Sequence, residues 1–308
     1  MRRIKFRKPY KLKNYRFGLV ALVLVLSIIG ILVVGSANES YQSKQIFGVV
    51  IGLVVMAIVS LIDYVWITNF YWILYGMSVF MLAIVLIPGI GVYVNGARRW
   101  INLGFTNFQP SELAKILLII FFAKFIMKHK EDLSEKQTIL KAVVLIAIPL
   151  VLILKEPNLS TTICTATLFC FLMYVGGLSY RFIGTVLLIT IPVAVIFLSI
   201  VVQPNQKLLD NYQQKRILAW LEPEKYASDE AYQQNNSVMA IGSGQLTGKG
   251  LNNNTTTSVK NGNFILEPQT DFIFAIVGEE LGFVGCCLII ALLLLIVIDC
   301  ILIGIHAQ

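Results

Sequence analysis

The sequence predicts an all-α membrane protein, a polytopic helix bundle with about eight transmembrane helices. Its 308 residues are 57% hydrophobic and only 14% charged, with a mean hydropathy of +0.77, which excludes a water-soluble domain with a polar shell. Several apolar stretches approach or exceed the roughly 18 residues that a helix needs to cross the hydrocarbon layer. None of them alternates apolar and polar residues, as the strands of a lipid-facing barrel would.

Eight apolar stretches are the predicted spans. They cover residues 17–36, 46–67, 70–90, 109–127, 139–154, 159–177, 182–202 and 272–304. The first, FGLVALVLVLSIIGILVVGS, is longer than a signal-peptide core and lacks a convincing small-x-small cleavage site, so we interpret it as a membrane anchor. The spans divide the chain into four regions: a basic N-terminus at 1–16, a seven-span bundle at 17–202, a long polar loop at 203–271, and a last span with a short C-terminus at 272–308.

The positive charges predict the orientation. The first 16 residues carry eight Lys or Arg and no acid, which places the N-terminus in the cytoplasm. Alternation from there puts the basic segments 124–141 and 176–181 on the cytoplasmic face and the long segment 203–271 outside. The formal net charge of +8 is therefore an orientation signal. Nucleic-acid binding is not predicted, because it needs basic residues interleaved with exposed aromatics on a soluble face.

Cysteine and histidine usage favours neither a disulfide framework nor a zinc site. The five cysteines all fall in predicted spans, where they act as small apolar residues: Cys164, Cys170, Cys286, Cys287 and Cys300. His129 and His306 lie on predicted cytoplasmic segments without a partner at metal-ligand spacing. No cofactor is assigned, and a divalent cation, magnesium or manganese, stays open.

The predicted outer segment 203–271 is where we expect chemistry or recognition. Within it LLDNYQQKRILAWL has apolar residues at helical spacing opposite Gln214 and Lys215, which predicts either a helix on the membrane surface or a packing helix. The next stretch, NNSVMAIGSGQLTGKGL, departs from a phosphate loop at Ser243 and Gly250. Its glycines allow tight turns, and Lys249 is a candidate to meet an anionic group outside the cell.

Three motifs in order give the chain a specific resemblance: NGARRWI.LG....QPSELAK, AIGSG...GKG and QTDFIFAIVGEELGF.G. The chain resembles the shape, elongation, division and sporulation family, the relatives of RodA and FtsW, from the first span to its end. The resemblance implies a peptidoglycan glycosyltransferase that polymerises lipid II at the outer face of the bacterial plasma membrane. It also implies a class B penicillin-binding protein as partner. LEPQTDF is somewhat more like the RodA branch than the division branch.

The resemblance also implies roles for single residues. Asp271, in TDF, matches the family's essential aspartate and is the predicted general base for the attacking hydroxyl. No separate general acid is needed, because pyrophosphate leaves readily once its charge is neutralised. Arg98 and Arg99 are predicted to pair with the pyrophosphate through their planar guanidinium groups, with Trp100 beside them at the membrane interface. The alternative for these three residues is anchoring to anionic lipid headgroups.

Further charged residues complete the predicted site. Glu112 and Lys115 are three residues apart on one helix face near the start of the fourth span. They join the substrate-binding set, while a structural ion pair stays open for them. Arg216 and Lys249 belong to the same set. Three other acids lie near Asp271 in the sequence. Glu267 is the next candidate for the base. Glu279 and Glu280 are expected at a helix start, where a negative charge interacts favourably with the helix dipole.

Two other classes of function stay open. A transporter that flips the lipid-linked precursor should have repeated halves with interrupted helices meeting at the midplane, and the sequence shows no internal repeat. A scaffold that only positions a penicillin-binding protein would leave Asp271, Arg98 and Lys249 unexplained as a set. Relatives continue through two further spans, whereas this chain stops at Gln308, so we expect a fragment or a shortened member whose activity is open.

Overall fold

A computed structural model gives the fold. It describes residues 15–94, 97–102, 104, 107–203, 206, 211–222, 225, 232–253, 258, 262, 264–265 and 267–306. The helices of this part are α1 Phe17–Ala37, α2 Glu39–Ser60, α3 Tyr64–Asn69, α4 Tyr71–Val85, α5 Pro110–Lys128, α6 Lys136–Lys155, α7 Leu159–Val175, α8 Tyr180–Val201, α9 Asn211–Leu221, α10 Tyr232–Ser243 and α11 Ile273–His306. The strands are β1 Gly91–Val94, β2 Ala97–Asn102 and β3 Asn107–Phe108. The all-α class is therefore confirmed, with one small antiparallel sheet in addition.

The predicted spans fall on helices. Five helices in the described part are long and apolar enough to cross a membrane: α1, α2, α6, α8 and α11. Helices α4 and α7 are apolar but shorter, with 15 and 17 residues. Helix α5 has 19 residues and carries charged side chains near both ends. The chain is a multi-pass membrane protein, and the count of eight crossings stays a prediction.

Two predicted spans have different bounds in the structure. The second, expected at 46–67, is α2, which begins at Glu39 and ends at Ser60. A separate short helix, α3, follows because the Asp63 side chain accepts a hydrogen bond from the Val65 amide at 3.0 Å and caps a new start. The third, expected at 70–90, ends as a helix at Val85.

The chain divides into two compact units. The first comprises Met1–Ala57 and Ile200–Gln308 and holds α1, α9, α10, α11 and most of α2. In it α1 runs antiparallel to α11, because Val33 packs against Ile276 and Val277 while Arg16 Nη1 lies 3.8 Å from Asp299 Oδ1 near the other ends of the helices. Helix α10 contacts α11 through residues that include Ala240 and Ala275.

The second unit comprises Ile58–Ser199 and is built around α5. This helix buries Phe121, Phe122 and Phe125 in a cluster with residues of α4, α6 and α7. The rings of Tyr75 and Phe121 lie 4.6 Å apart between centroids, and the Tyr75 hydroxyl donates to the Leu145 carbonyl at 2.9 Å. Aromatic packing with a satisfied hydroxyl therefore ties α4, α5 and α6 together.

Candidate functional site

The small sheet of the second unit positions the two neighbouring arginines. Strands β1 and β2 pair with Trp100 opposite Val92 and Arg98 opposite Tyr93, so that Arg99 is an extra residue between two pairs. Such a bulge re-aims the side chain of the extra residue. No strand was predicted here from the sequence, because strands of two to six residues are too short to show a clear alternation.

Arg99 is fixed by the carboxyl end of α6. Its Nε donates to the Glu156 carbonyl at 3.0 Å, and its Nη2 donates to the Pro157 carbonyl. The last carbonyls of a helix lack donors within the helix, and a cation placed there also complements the helix dipole. Arg99 therefore fastens the sheet to α6, and only part of its guanidinium group is available for a substrate.

Arg98 is placed differently from its neighbour. Its side chain is half-buried and makes no hydrogen bond or ion pair within the described part of the chain. Trp100, two residues further along β2, is also half-buried. Of the two arginines, Arg98 is the one whose whole guanidinium group is available to an anion.

Glu156, the acid that follows α6, was not among the site residues predicted from the sequence. Its side chain is completely buried, and neither carboxyl oxygen has a hydrogen-bond partner among the residues that the structure describes. Burial raises the pKa of Glu156 from 4.5 to about 8, although the Arg99 guanidinium acts in the opposite direction. The raised pKa favours the neutral form of the carboxyl group, which avoids an unpaired buried charge. The signal in the sequence that could have indicated this buried acid is its position directly after an apolar helix.

Glu112 and Lys115 form the predicted pair on α5. Lys115 Nζ lies 3.0 Å from Glu112 Oε1, so the shared helix face is confirmed. The Glu112 side chain is 57% exposed and that of Lys115 is 20% exposed. Because Glu112 stands in the first turn of α5, its charge also favours the helix dipole. The contact to a substrate stays a prediction.

The last helix is interrupted, which contradicts the expectation of one continuous span at 272–304. Gly282 has φ 66° and ψ −166°, so the carbonyls before it and the amides after it lose their helical partners. The segment 245–250 replaces those partners. Four backbone bonds join the two segments: Lys249 and Gly250 amides donate to the Glu279 and Glu280 carbonyls at 2.9 and 3.0 Å, and the Phe283 and Val284 amides donate to the Gln245 and Leu246 carbonyls at 2.9 and 3.1 Å.

We call this pairing of segment 245–250 with the break at Gly282 the interlock. The glycines of AIGSG...GKG make it possible. A Cβ on Gly248 would lie 2.2 Å from the Glu280 carbonyl oxygen, and Gly248 has a φ of +80°. A Cβ on Gly244 would lie 1.9 Å from the Gly278 carbonyl oxygen. Contacts this short admit only glycine. These glycines, which superficially resemble those of a phosphate loop, thus allow the backbone of segment 245–250 to approach that of α11 closely.

Lys249 is engaged with a buried acid of the same interlock. Its Nζ lies 2.9 Å from Glu279 Oε1, and the Glu279 side chain is only 1% exposed. The Ser258 hydroxyl donates to the other oxygen of Glu279 at 3.3 Å, and the Ser36 hydroxyl donates to Glu280 at 2.6 Å. The expectation that Glu279 and Glu280 stand at a helix start is wrong, because both lie just before the break, buried and bonded. An anion-binding role for Lys249 stays a prediction.

Asp271 lies exposed in the turn before Ile273, where α11 begins. It has no hydrogen bond or ion pair with any residue that the structure describes. Glu267, the next candidate, instead accepts a hydrogen bond from the Gln269 side chain in the same turn. Asp271 is therefore the free carboxylate of this turn.

The predicted helix of the long polar segment is α9. Its residue Gln214 was expected on a polar face, but the side chain is buried and donates to the carbonyls of Val201 and Gln203 at 2.8 and 2.9 Å. Trp220 is 70% exposed, which suits a helix at a membrane surface. Arg216 belongs to α9, but its side chain lies outside the described residues.

The described acids do not form a metal site. Within the described ranges no group of three His, Cys, Asp or Glu residues could hold a metal ion. Glu279 is bonded to Lys249 and Glu280 to Ser36, and in the turn before α11 Asp271 is exposed while Glu267 accepts a hydrogen bond from Gln269. The divalent cation that the sequence left open stays a prediction.

Comparison with known proteins gives consistent matches. Residues 11–308 match the cell cycle protein family of FtsW, RodA and SpoVE. Peptidoglycan glycosyltransferase MrdB of Escherichia coli K12 is 33% identical over 298 residues, which are 94% of this chain and 76% of that protein. Probable peptidoglycan glycosyltransferase FtsW of Saccharophagus degradans is 35% identical over 286 residues, 87% of this chain and 69% of that protein.

Two solved structures share the fold. A chain from a peptidoglycan synthase complex, studied for the coordination of polymerization and crosslinking, is similar with a TM-score of 0.72 and 25% identity, covering 93% of this chain and 77% of that one. The rod shape determining protein RodA of Thermus thermophilus is similar with a TM-score of 0.59 and 23% identity, covering 93% of this chain and 74% of its own.

Proposed function

The chain belongs to the cell cycle protein family of FtsW, RodA and SpoVE, and on that premise we propose that it is a peptidoglycan glycosyltransferase that polymerises lipid II into glycan strands. The relatives MrdB and FtsW are peptidoglycan glycosyltransferases by name. Lipid II presents its pyrophosphate at the outer headgroup level of the plasma membrane. The predicted topology, with the N-terminus in the cytoplasm, assigns the segments 91–108 and 203–271 to that side of the membrane.

The free carboxylate of Asp271 is the observation that carries the proposed mechanism. It takes the proton from the acceptor sugar's hydroxyl as that oxygen attacks the anomeric carbon of the donor. The bond from that carbon to the lipid-linked pyrophosphate breaks on the opposite face, so an α-linked donor gives a β-linked polymer. The pyrophosphate leaves with the bonding electron pair, and no second carboxyl group is required.

Arg98 and Arg99 divide the work at the pyrophosphate. Arg98 has an uncommitted guanidinium group and binds the phosphate oxygens in a bidentate manner. Arg99 positions the strand by holding the Glu156 and Pro157 carbonyls. Trp100 lies at the interface beside them and supports the sugar or lipid end of the substrate.

The remaining basic residues have supporting roles. Lys115 pairs with Glu112 near the start of α5, Lys249 pairs with Glu279 at the helix break, and Arg216 adds positive potential on the side of the outer segment. The described binding residues include no group of three His, Cys, Asp or Glu residues that could hold a metal ion.

A class B penicillin-binding protein is the proposed partner. Support comes from the structural relative, whose complex couples polymerization with crosslinking. A polymerase that releases glycan strands needs a transpeptidase nearby to join them, and a penicillin-binding protein supplies that reaction.

The interrupted α11 favours a flippase as the second candidate. Discontinuous helices line the substrate sites of many transporters. Here, however, the segment 245–250 occupies the freed backbone groups at Gly282, and buried side chains surround them. The break is therefore closed by the chain itself, which makes it a weaker argument than the free Asp271. A scaffold explains neither feature.

A polymerisation assay tests the proposal. We expect the purified chain to convert lipid II in liposomes into glycan polymer that is resolved by gel electrophoresis. Asp271→Asn should bind lipid II as before but lose on the order of 10²-fold or more in rate. Glu267→Gln, an acid of the same turn, is the matched control and should keep the parental rate. Lipid II translocation without polymer would favour the flippase, and a fully active Asp271→Asn variant would refute the base.

A further inference from the structure

A cavity of about 540 Å³ opens between the start of α4, the end of α5 and the start of α6, all in the second unit. Its lining includes Tyr71, Trp72, Phe125, Lys128, His129 and Lys141. The size is within the range of small-molecule sites. None of these residues belongs to the proposed glycosyltransferase site, whose members in this unit, such as Arg98 and Glu112, lie near the opposite ends of α4 and α5.

The rim of the cavity is basic. Lys128 is the last residue of α5, Lys141 stands in the second turn of α6, and both side chains are exposed. Neither lysine pairs with an acid in the described part of the chain, and no carboxylate lines the cavity there. His129 Nδ1 donates to the Phe125 carbonyl at 2.9 Å, which fixes its ring as one wall. The electrostatic complement of this rim is an anion.

The rest of the lining is apolar and aromatic. The Trp72 side chain is 52% exposed, and Leu140 and Val144 are 65% and 52% exposed on one face of α6. Trp and Tyr are typical of the boundary between headgroups and hydrocarbon, and lysine ammonium groups reach toward headgroups while their stems stay apolar. A ligand that fits both parts has an anionic head and hydrocarbon tails.

We propose that this cavity is a binding site for an anionic phospholipid such as phosphatidylglycerol. The phosphate contacts Lys128 and Lys141, and the acyl chains lie along the exposed face of α6 at Leu140 and Val144. Basic pockets between membrane helices bind anionic headgroups in this way. In the predicted orientation this is the inner leaflet, so the site is distinct from one for an outer-leaflet substrate. The lipid fastens α4, α5 and α6 at the membrane boundary.

Fluorescence quenching of Trp72 tests the proposal. The full chain is placed in bilayers of equal phosphatidylglycerol and phosphatidylcholine, with bromine on the acyl chains of one lipid at a time. The signal of Trp72 is the difference between the parent and Trp72→Phe. We expect phosphatidylglycerol to be enriched about fivefold or more around Trp72.

Charge variants test whether the two lysines of the cavity cause the enrichment of phosphatidylglycerol around Trp72. Lys128→Gln with Lys141→Gln should abolish the enrichment. The matched control, Lys124→Gln with Lys136→Gln, removes two charges from the same helices outside the cavity lining and should keep the enrichment. Quenching by phosphatidylcholine reports whether the cavity is intact in each variant. Equal quenching by the two lipids in the parent, or equal loss in both double variants, would overturn the proposal.

Discussion

The small sheet of the second unit and the helix break of the first unit treat charged residues in opposite ways. Around the sheet, Arg98 has no partner in the described residues and Glu112 is largely exposed beside Lys115. At the break, Glu279 and Glu280 are buried and bonded to Lys249 and Ser36. A charged residue in a motif is therefore not by itself a sign of substrate contact. Only an uncommitted group, such as Arg98 or Asp271, is available for chemistry.

The largest expected effect is at the interlock of the first unit. Gly248→Ala places a Cβ 2.2 Å from the Glu280 carbonyl oxygen at a φ of +80°. We expect the free energy of unfolding to fall by about 4 kcal/mol or more, which is enough to prevent recovery of folded protein. The measurement is the yield of monodisperse protein and its melting temperature in detergent. Gly242→Ala, a helical glycine with no atom within 4 Å, should be at least as stable as the parent. Equal stability of the two variants would contradict the interlock.

The second expected effect separates the two ion pairs. Lys249→Met leaves the buried Glu279 carboxylate without its ammonium partner, and we expect it to lower the free energy of unfolding by about 3–5 kcal/mol. Lys115→Met removes the partner of the exposed Glu112 and should cost at most about 1 kcal/mol. Denaturation curves of both variants measure the difference. If Lys115 proves the more costly to remove, the contrast between the two regions is wrong.

The third effect depends on pH and concerns Glu156, a buried acid beside the small sheet. The folded pKa of Glu156 is raised to about 8, so the folded chain keeps a proton that the unfolded chain releases above 4.5. Stability should therefore fall as pH rises from 4.5 to about 8. Glu156→Gln keeps the neutral shape and should flatten this slope, with a gain on the order of 2–4 kcal/mol at pH 8.

Melting temperatures across this pH range check the prediction for Glu156. Glu131→Gln, an exposed acid of the same unit, is the control and should keep the parental curve. A parental slope in Glu156→Gln would show that the buried carboxyl group is not its cause.

The smallest effect distinguishes the neighbouring arginines. Arg99→Lys loses the planar group that reaches two carbonyls, so we expect about 1 kcal/mol of destabilisation. Arg98→Lys should leave stability unchanged and lower lipid II turnover. Melting curves and the polymerisation assay on both variants give the comparison. Identical behaviour of the two variants in both measurements would favour their joint role as a lipid anchor.

Sequence reasoning succeeded where the signal was local. The helices were predicted because long apolar runs have few other solutions in a membrane. The pair Glu112 and Lys115 was predicted because residues three apart share a helix face. Asp271 was assigned from a motif, and its exposure is consistent with that choice, although its role stays a prediction.

The features that sequence reasoning missed depend on distant residues. The break at Gly282 is hidden in an apolar run and is stabilised by residues more than thirty positions earlier, such as Gln245 and Lys249. The bulge at Arg99 matters only because α6 ends beside it. Hydropathy carries no information about such partners, and the burial of Glu156 likewise follows from packing that no local pattern encodes.

The interlock at Gly282 turns the segment 251–272 into a closed ring. Gly250 is held to Glu280 at one end of the segment, and α11 begins at Ile273 at the other. Each doubling of the length of a loop whose ends are held together changes the closure entropy by only about 0.6 kcal/mol. Insertions in the ring should therefore be tolerated. A proteolytic cut within it would leave two fragments held together by the four backbone hydrogen bonds, the ion pair of Lys249 with Glu279, and the packing of α1 and α10 on α11. The turn that carries Asp271 adjoins the start of α11 at Ile273, so insertions far from that turn should leave it in place.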